Sequence, residues 1–413
     1  MKFNKWTLGL AAVGVVSFAS AARADEMKVN MVQTAVANTT ISGSVSASMN
    51  WELTPGEHTV GESPAQYIPF QGPTKENGFN LDVVRLTIAK PEDATQWASG
   101  YQVDLMFGPD AVGYNPSANG SSGQDFSIKQ AYVTLNTPVG NGLDWKVGVF
   151  DTVIGYESTD AQNDPNYTRS WGYTIEPTEH TGVLATYTIN KQWSISAGVA
   201  NTLEAGINTR AFNYPYDYGD DYSTDWHKTF MGAVTFNAPD SWNWAAGSTF
   251  TAGIVYGFNG QYGADKGFHA GGDQINYYAG GVLNTPLKQL TLGAAFDYAH
   301  NFDGGGNWWA GYWEYNVLAA GVYAKYQATD KLSLNGRAEY VYGERVGNNY
   351  FESYTDSADG LEFTGTLEYD MWANVISRLE LRWDHANTNY SALGDYLDHK
   401  DSVGLYANVI YKF

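Results

Sequence analysis

Cysteine is absent from this 413-residue chain, which excludes disulfide scaffolds, thiolate metal sites and cysteine nucleophiles together. Basic charge is scarce: 23 Lys and Arg stand against 44 Asp and Glu, a formal net charge of −21. Nucleic acid needs a basic face, so it is a poor partner for such a chain. Long apolar runs are missing beyond the first residues, and mean hydropathy is −0.35, which excludes a bundle of membrane helices. Charge of either sign is also low, 16% of residues, while aromatics reach 15% and glycines number 45. A water-covered surface normally carries more charge, so something other than water is expected over part of this one.

The N-terminus has the marks of an address. Lys2 and Lys5 precede an apolar run from Thr7 to Ser20, and Ala22-Arg23-Ala24 forms a small-x-small cleavage site. This pattern predicts a secretory signal peptide over 1–24, removed on export. Residues 25–38 then precede the first patterned segment as a periplasmic stretch of unassigned role.

From residue 39 onward the hydrophobic period is two. Ile41, Gly43, Val45, Ala47, Met49 and Trp51 alternate with Ser42, Ser44, Ser46, Ser48 and Asn50, as they do on a strand whose successive side chains point to opposite faces. The last segment repeats this, with Val403, Leu405, Ala407, Val409, Tyr411 and Phe413 on one face. Sixteen such segments are expected: 39–53, 79–90, 97–107, 126–137, 143–150, 179–190, 192–202, 228–237, 244–258, 274–285, 288–300, 313–327, 331–344, 361–370, 374–385 and 402–413. Odd-to-even connections are long and even-to-odd ones short. That alternation predicts an all-β, up-and-down antiparallel transmembrane barrel over 39–413, with short periplasmic turns and long outer loops. Only a helix or a closed barrel satisfies every backbone group in lipid. Trp51, Trp145, Trp193, Trp372 and Trp383 fall near strand ends, where interfacial girdles form.

Phe413, with apolar residues at every second position before it, resembles the terminal strand that barrel assembly machinery reads in Gram-negative outer membranes. GVFDTVIGYE (148–157), NDPNYTRSWGYTIEPTEHTGVL (163–184) and IKQAYVTLNTPVGNG (128–142) are similar to the OmpL-like beta-barrel porin family. The resemblance implies passive diffusion of small hydrophilic solutes across the outer membrane, a mechanism that needs no cofactor. By likeness to general porins it implies a homotrimer set in lipid and lipopolysaccharide. It also implies that the third outer loop, about 151–177, folds inward and constricts the pore with Asp151, Glu157, Asp160, Asp164, Arg169 and Glu176. A solvated outer loop is the alternative.

Strand parity supplies the wall. With the Phe413 face in lipid, Arg85, Asp104, Arg337, Glu339, Arg378, Glu380, Arg382 and Asp384 point into the lumen, with Asp144, Asp297, Glu362 and Glu368. Acids on the loop would then face arginines across an opening and set up a transverse field. Mutual neutralisation within Arg378–Glu380 and Arg337–Glu339 is the alternative. Acids outnumber bases, so weak cation preference is expected.

Other signals are weaker. Asp217, Asp220, Asp221 and Asp225 offer carboxylate oxygens that suit calcium, without EF-hand spacing. Asn307 to Tyr315 is dense in aromatics, which fits interfacial anchoring or a saccharide track. The chain has seven His, no HExxH and no GxSxG, so an enzyme is not expected. His180 beside Glu179 is the nearest candidate base. The rival to a channel is a non-conducting barrel acting as an adhesin or envelope scaffold through its acidic loops.

Overall fold

The computed structural model describes residues 32–33, 38–53, 75, 77–93, 97–114, 126–203, 207, 227–258, 273–304, 312–348, 353–386 and 401–413. The predicted signal peptide, the aspartates at 217–225 and the Trp308-Trp309 stretch lie outside these residues, as does most of 25–38.

Sixteen strands form one antiparallel barrel. We number them β1 (Thr40–Glu52), β2 (Gly78–Lys90), β3 (Ser99–Phe107), β4 (Phe126–Thr137), β5 (Leu143–Asp151), β6 (Glu179–Thr188), β7 (Trp193–Ala200) and β8 (Thr229–Asn237). They continue as β9 (Thr249–Phe258), β10 (Asp273–Asn284), β11 (Leu290–Gly304), β12 (Tyr312–Gln327), β13 (Leu332–Asn348), β14 (Ser353–Trp372), β15 (Val375–Ala386) and β16 (Asp401–Lys412). Each strand pairs with its sequence neighbours, and β16 closes on β1 from Gly404↔Glu52 to Lys412↔Ser44. Phe413 and Gly43 exchange backbone hydrogen bonds at the seam. A two-residue strand, Val32–Gln33, pairs with the start of β1.

Two expected boundaries are corrected. The ninth strand begins at Thr249 rather than 244, because Asp240–Ala245 forms a 3-10 turn after Pro239. The long thirteenth-to-fourteenth loop is mostly strand: pairing runs without a break from Leu332↔Tyr369 to Asn348↔Ser353. The ladder extends where the polar sequence no longer shows a period-two apolar face.

Parity otherwise follows the alternation. On β15, Leu379 and Leu381 face outward, while Arg378, Glu380 and Arg382 are buried on the lumen side. Leu334 and Tyr340 on β13 face outward, and Arg337 and Glu339 inward. Trp97, Trp193, Trp242, Trp244 and Trp372 stand exposed beside the short-turn end, as an interfacial aromatic girdle does. Trp97, Trp242 and Trp244 join the girdle from the turns themselves.

Among the register shifts in the ladder, two β-bulges bring a charged residue into the lumen. Ser46 pairs with Val83 and Ala47 with Leu81, so Asp82 is the extra residue on β2. Asp104 pairs with Gln130 and Leu105 with Ile128, which makes Lys129 the extra residue on β4. A bulge re-aims a side chain. Here both charged groups turn into the lumen, where Asp82 is 1% exposed and Lys129 is fully buried.

Candidate functional site

The connection from β5 to β6, residues 152–178, carries an apolar start, a polar middle and a five-residue helix, Trp171–Ile175. Val153, Ile154 and Tyr156 are nearly fully buried, which a solvated loop could not achieve. They pack with Leu184 on β6, Met231 on β8, Val255 on β9, Tyr278 on β10, Ala295 on β11 and Tyr323 on β12. Tyr156 stacks on Tyr323 with ring centroids 4.1 Å apart. Close approach requires missing side chains on the wall. A Cβ at Gly293 would lie 1.7 Å from the Tyr156 hydroxyl, and one at Gly253 would lie 2.7 Å from Ile154 Cγ2.

The rest of the loop meets a charged wall. Arg337 on β13 donates to Glu157 at 2.7 Å and to the Thr168 carbonyl at 2.8 Å, while its Nε meets Glu362 at 3.1 Å. Arg378 on β15 donates to the Ala161 carbonyl at 2.7 Å, to the Asp164 carbonyl, and to Glu368 at 3.0 Å. Arg382 reaches the Arg169 carbonyl at 2.6 Å and forks onto Asp384 at 2.6 and 2.7 Å. Wall carboxylates accept loop N–H groups in turn. Glu380 takes those of Tyr167 and Thr168 at 2.5 and 2.9 Å, and Glu339 those of Trp171 and Gly172 at 2.5 and 2.8 Å. The returning arm is tied to β10, where Asn276 donates to the Ile175 carbonyl at 2.6 Å. Inside the loop, Asp164 pairs with Arg169 at 3.1 Å and accepts the Ser158 N–H at 2.8 Å. Burial raises the Asp164 carboxyl above its usual range against the opposing pull of Arg169.

The loop tip reaches the first strands. Arg85 on β2 bridges Asp160 at 2.6 Å and Asp104 on β3 at 3.0 Å. Asp82 accepts from Ser46 at 2.8 Å, Ser48 at 2.7 Å, Tyr167 at 3.0 Å and Asn408 at 3.2 Å. Lys75, from the first outer loop, lies 2.5 Å from Asp110 and 3.4 Å from Asp82. Burial pushes the Asp110 carboxyl up to about 6 although Lys75 pulls it down. Lys129 meets Asp151 at the root of the loop, and Glu179 at 3.5 Å.

The loop acids therefore do not look across a gap at the arginines. Arg337, Arg378 and Arg382 touch the loop directly, because its carbonyls and Glu157 complete their hydrogen bonding. Nor do Arg378–Glu380 and Arg337–Glu339 form salt bridges within the sequence pairs: Glu380 and Glu339 accept loop N–H groups, and the arginines take Glu368, Glu362 and Asp384. Asp151, Glu157, Asp160, Asp164, Arg169 and Glu176 all lie on this loop or its root. Asp82, Lys75 and Lys129 escaped the sequence reading. An aspartate between Leu81 and Val83, where alternation demands an apolar outward residue, was the signal for the first bulge. His180 is fully buried, 3.2 Å from the Thr152 hydroxyl. Among the described residues no cluster of three or more acidic or His side chains is placed to hold a metal ion.

A closed sixteen-strand barrel with an apolar outer face, an interfacial Trp girdle and a charged lumen defines the class of outer-membrane porins. The chain belongs to the family described as "Putative beta-barrel porin-2, OmpL-like", whose model matches residues 38–413. No curated protein matches the sequence. Solved structures share the fold at low identity. The anion-selective porin from Comamonas acidovorans aligns at 11% identity and TM-score 0.57, over 91% of this chain and 99% of that one. In-vitro-folded OmpT of Vibrio cholerae, in its trimer form, aligns at 13% and 0.56, over 91% and 99%. The outer-membrane channel DcaP of Acinetobacter baumannii aligns at 12% and 0.55, over 92% and 99%. The protein is thus a non-enzymatic outer-membrane channel of the porin class.

Proposed function

We propose that this barrel passes small hydrophilic solutes and ions by diffusion, with weak preference for cations, and that residues 152–178 set its constriction. The observation that supports this most is the loop's attachment. It crosses the lumen and is bonded to inward side chains of β1, β2, β10 and β13–β15. A segment held at that many points makes a fixed opening rather than a fluctuating one. Selectivity follows from charge. The lumen arginines are committed to carboxylates and loop carbonyls, so the surplus acids set the sign of the remaining field. The Comamonas porin shows that this fold also serves anions, which is why the sign needs measuring. We extend the same reading to a homotrimer in lipid and lipopolysaccharide, and to barrel assembly machinery as the partner that reads the Phe413 strand.

The test is the reversal potential of the refolded mature protein in a planar bilayer under a KCl gradient. A potential favouring K⁺ is expected, and one favouring Cl⁻ would contradict the charge argument. Folded protein that forms no conductance steps would reassign function to the outer loops, as for a scaffold or adhesin. Cross-linking in the outer membrane reads the oligomer separately, and monomers alone would refute the trimer.

A further inference from the structure

Every neighbouring pair of strands in the barrel is consecutive in sequence except β16 and β1. No turn fixes the register of that pair, so other features must. The inward face of β1 offers little distinction. Positions 42, 44, 46 and 48 are all serine, and a slip of two residues puts serine in place of serine. Such a slip also keeps every side chain on its own face, so lipid does not forbid it. It would nevertheless change the shear of the barrel, and with it the strand tilt and the width of the lumen.

The ladder between them runs from Gly404↔Glu52 to Lys412↔Ser44, and Phe413 exchanges backbone bonds with Gly43. β1 begins before that point. Ile41 and Thr40 pair on one side with Ile88 and Ala89 of β2. Their other side is in line with β16, and there Val32 faces Ile41 and Gln33 faces Thr40, antiparallel to β1 as β16 is. A slip of β16 by two residues toward the foot of β1 would bring Phe413 opposite Ile41, the place that Val32 holds. Local structure builds this fold-back. Asn38 has a φ of 71°, a left-handed conformation that asparagine tolerates better than most side chains. Thr39, 3% exposed, shares a 2.9 Å hydrogen bond with the Tyr101 hydroxyl on β3, and the Thr40 hydroxyl donates to the Ala89 carbonyl at 3.2 Å. The foot of β1 is thereby fixed against two neighbouring strands.

We propose that Val32–Gln33 is a register stop: it occupies the foot of β1 and prevents β16 from closing the barrel two residues out of place. The stop also covers an edge that a foreign strand could otherwise join. It gives part of the stretch 25–38 a role, and it rests on the barrel alone, whatever the barrel conducts. Gly43 favours the same register. A Cβ there would stand 2.7 Å from the Phe413 ring, so the ring lies over bare backbone, and after a slip it would meet Ile41 instead.

Cysteine cross-linking tests this directly, because the chain has no cysteine of its own. Val409 faces Ala47 in the observed register and would face Val45 after the slip. Ala47→Cys/Val409→Cys and Val45→Cys/Val409→Cys therefore report the two registers. A diagonal pair, about 7–8 Å apart, is too distant for a disulfide. Each full barrel is refolded in detergent, with Val32 and Gln33 intact or with Val32→Pro/Gln33→Pro, which removes both N–H donors. It is then oxidised, and the cross-linked fraction is read from gel mobility after denaturation. With the stop intact, the first pair is expected to cross-link and the second is not. In the proline background the ratio of slipped to native cross-link is expected to rise at least about fivefold. An unchanged ratio, or equal cross-linking of both pairs with the stop intact, would overturn the proposal. Heat-modifiable migration shows whether each variant is folded. If the proline chain does not refold, deletion of residues 25–37 is read in the same way, with the same two outcomes.

Discussion

The third loop lies between two unlike walls. On β6 and β8–β12 it is held by packing: Val153, Ile154 and Tyr156 fill a surface of small and aromatic side chains. On β13–β15, β1 and β2 it is held by ion pairs and hydrogen bonds, chief among them those of Arg337, Arg378, Arg382 and Glu380. Apolar contact excludes water but directs nothing, whereas a guanidinium fork fixes position. The loop thus gains a water-free anchor on one side and a defined register on the other. The charged side should respond most to partner deletion, as an electrostatic assembly.

Several substitutions can break this contrast, and the largest effect belongs to Arg337→Ala. Both Arg337 and its partner Glu362 are nearly fully buried, and removing one member of a buried pair costs about 3–5 kcal/mol. Denaturant unfolding in detergent should show that loss, together with noisier single-channel current as the loop frees itself. Unchanged stability would show that the ion pairs only decorate the wall. Tyr156→Ala attacks the other wall. It opens a cavity against Tyr323, with an expected loss of about 3 kcal/mol and no change in ion selectivity, readable from the reversal potential. Asn166→Ala removes only the 2.7 Å bond to Thr366, so about 1 kcal/mol is expected.

Smallest is the response to solution conditions. Asp110 is raised to about 6 by burial, and Asp164 is raised in the same direction. Such carboxyls take up protons at higher pH than ordinary ones, which titrate near 4. Negative charge therefore falls as pH drops from about 8 to about 5, and cation preference should fall with it. Because the folded state holds these protons more tightly than the unfolded chain, their linkage favours folding as pH falls through the same window. Raising KCl from 0.1 to 1 M, where the Debye length shrinks from about 10 to about 3 Å, should also weaken the preference. Selectivity indifferent to both pH and salt would place its origin outside these acids.

Much of this was legible in the chain. Period two gave the strands, and parity put Arg85, Arg337, Arg378 and Arg382 inside, because one face of each strand must be apolar for lipid. What parity cannot carry is a bulge, where one inserted residue exchanges the faces. Asp82 and Lys129 both enter the lumen that way. Nor does strand patterning say where a loop comes to rest. The apolar run Val153–Ile154 hinted that the segment is buried, but its distance from the arginines depends on contacts between residues far apart in sequence. The β13–β14 extension was missed for a related reason, since strands that leave the membrane lose the apolar face that marks them.

The central claim is that the loop docked on these two walls sets the opening of the pore. Deleting residues 155–175 and comparing single-channel conductance with the intact barrel tests it most directly. The account predicts a larger conductance step and weaker discrimination between K⁺ and Cl⁻. Equal conductance from a folded deletion variant would contradict it and place the constriction elsewhere in the barrel.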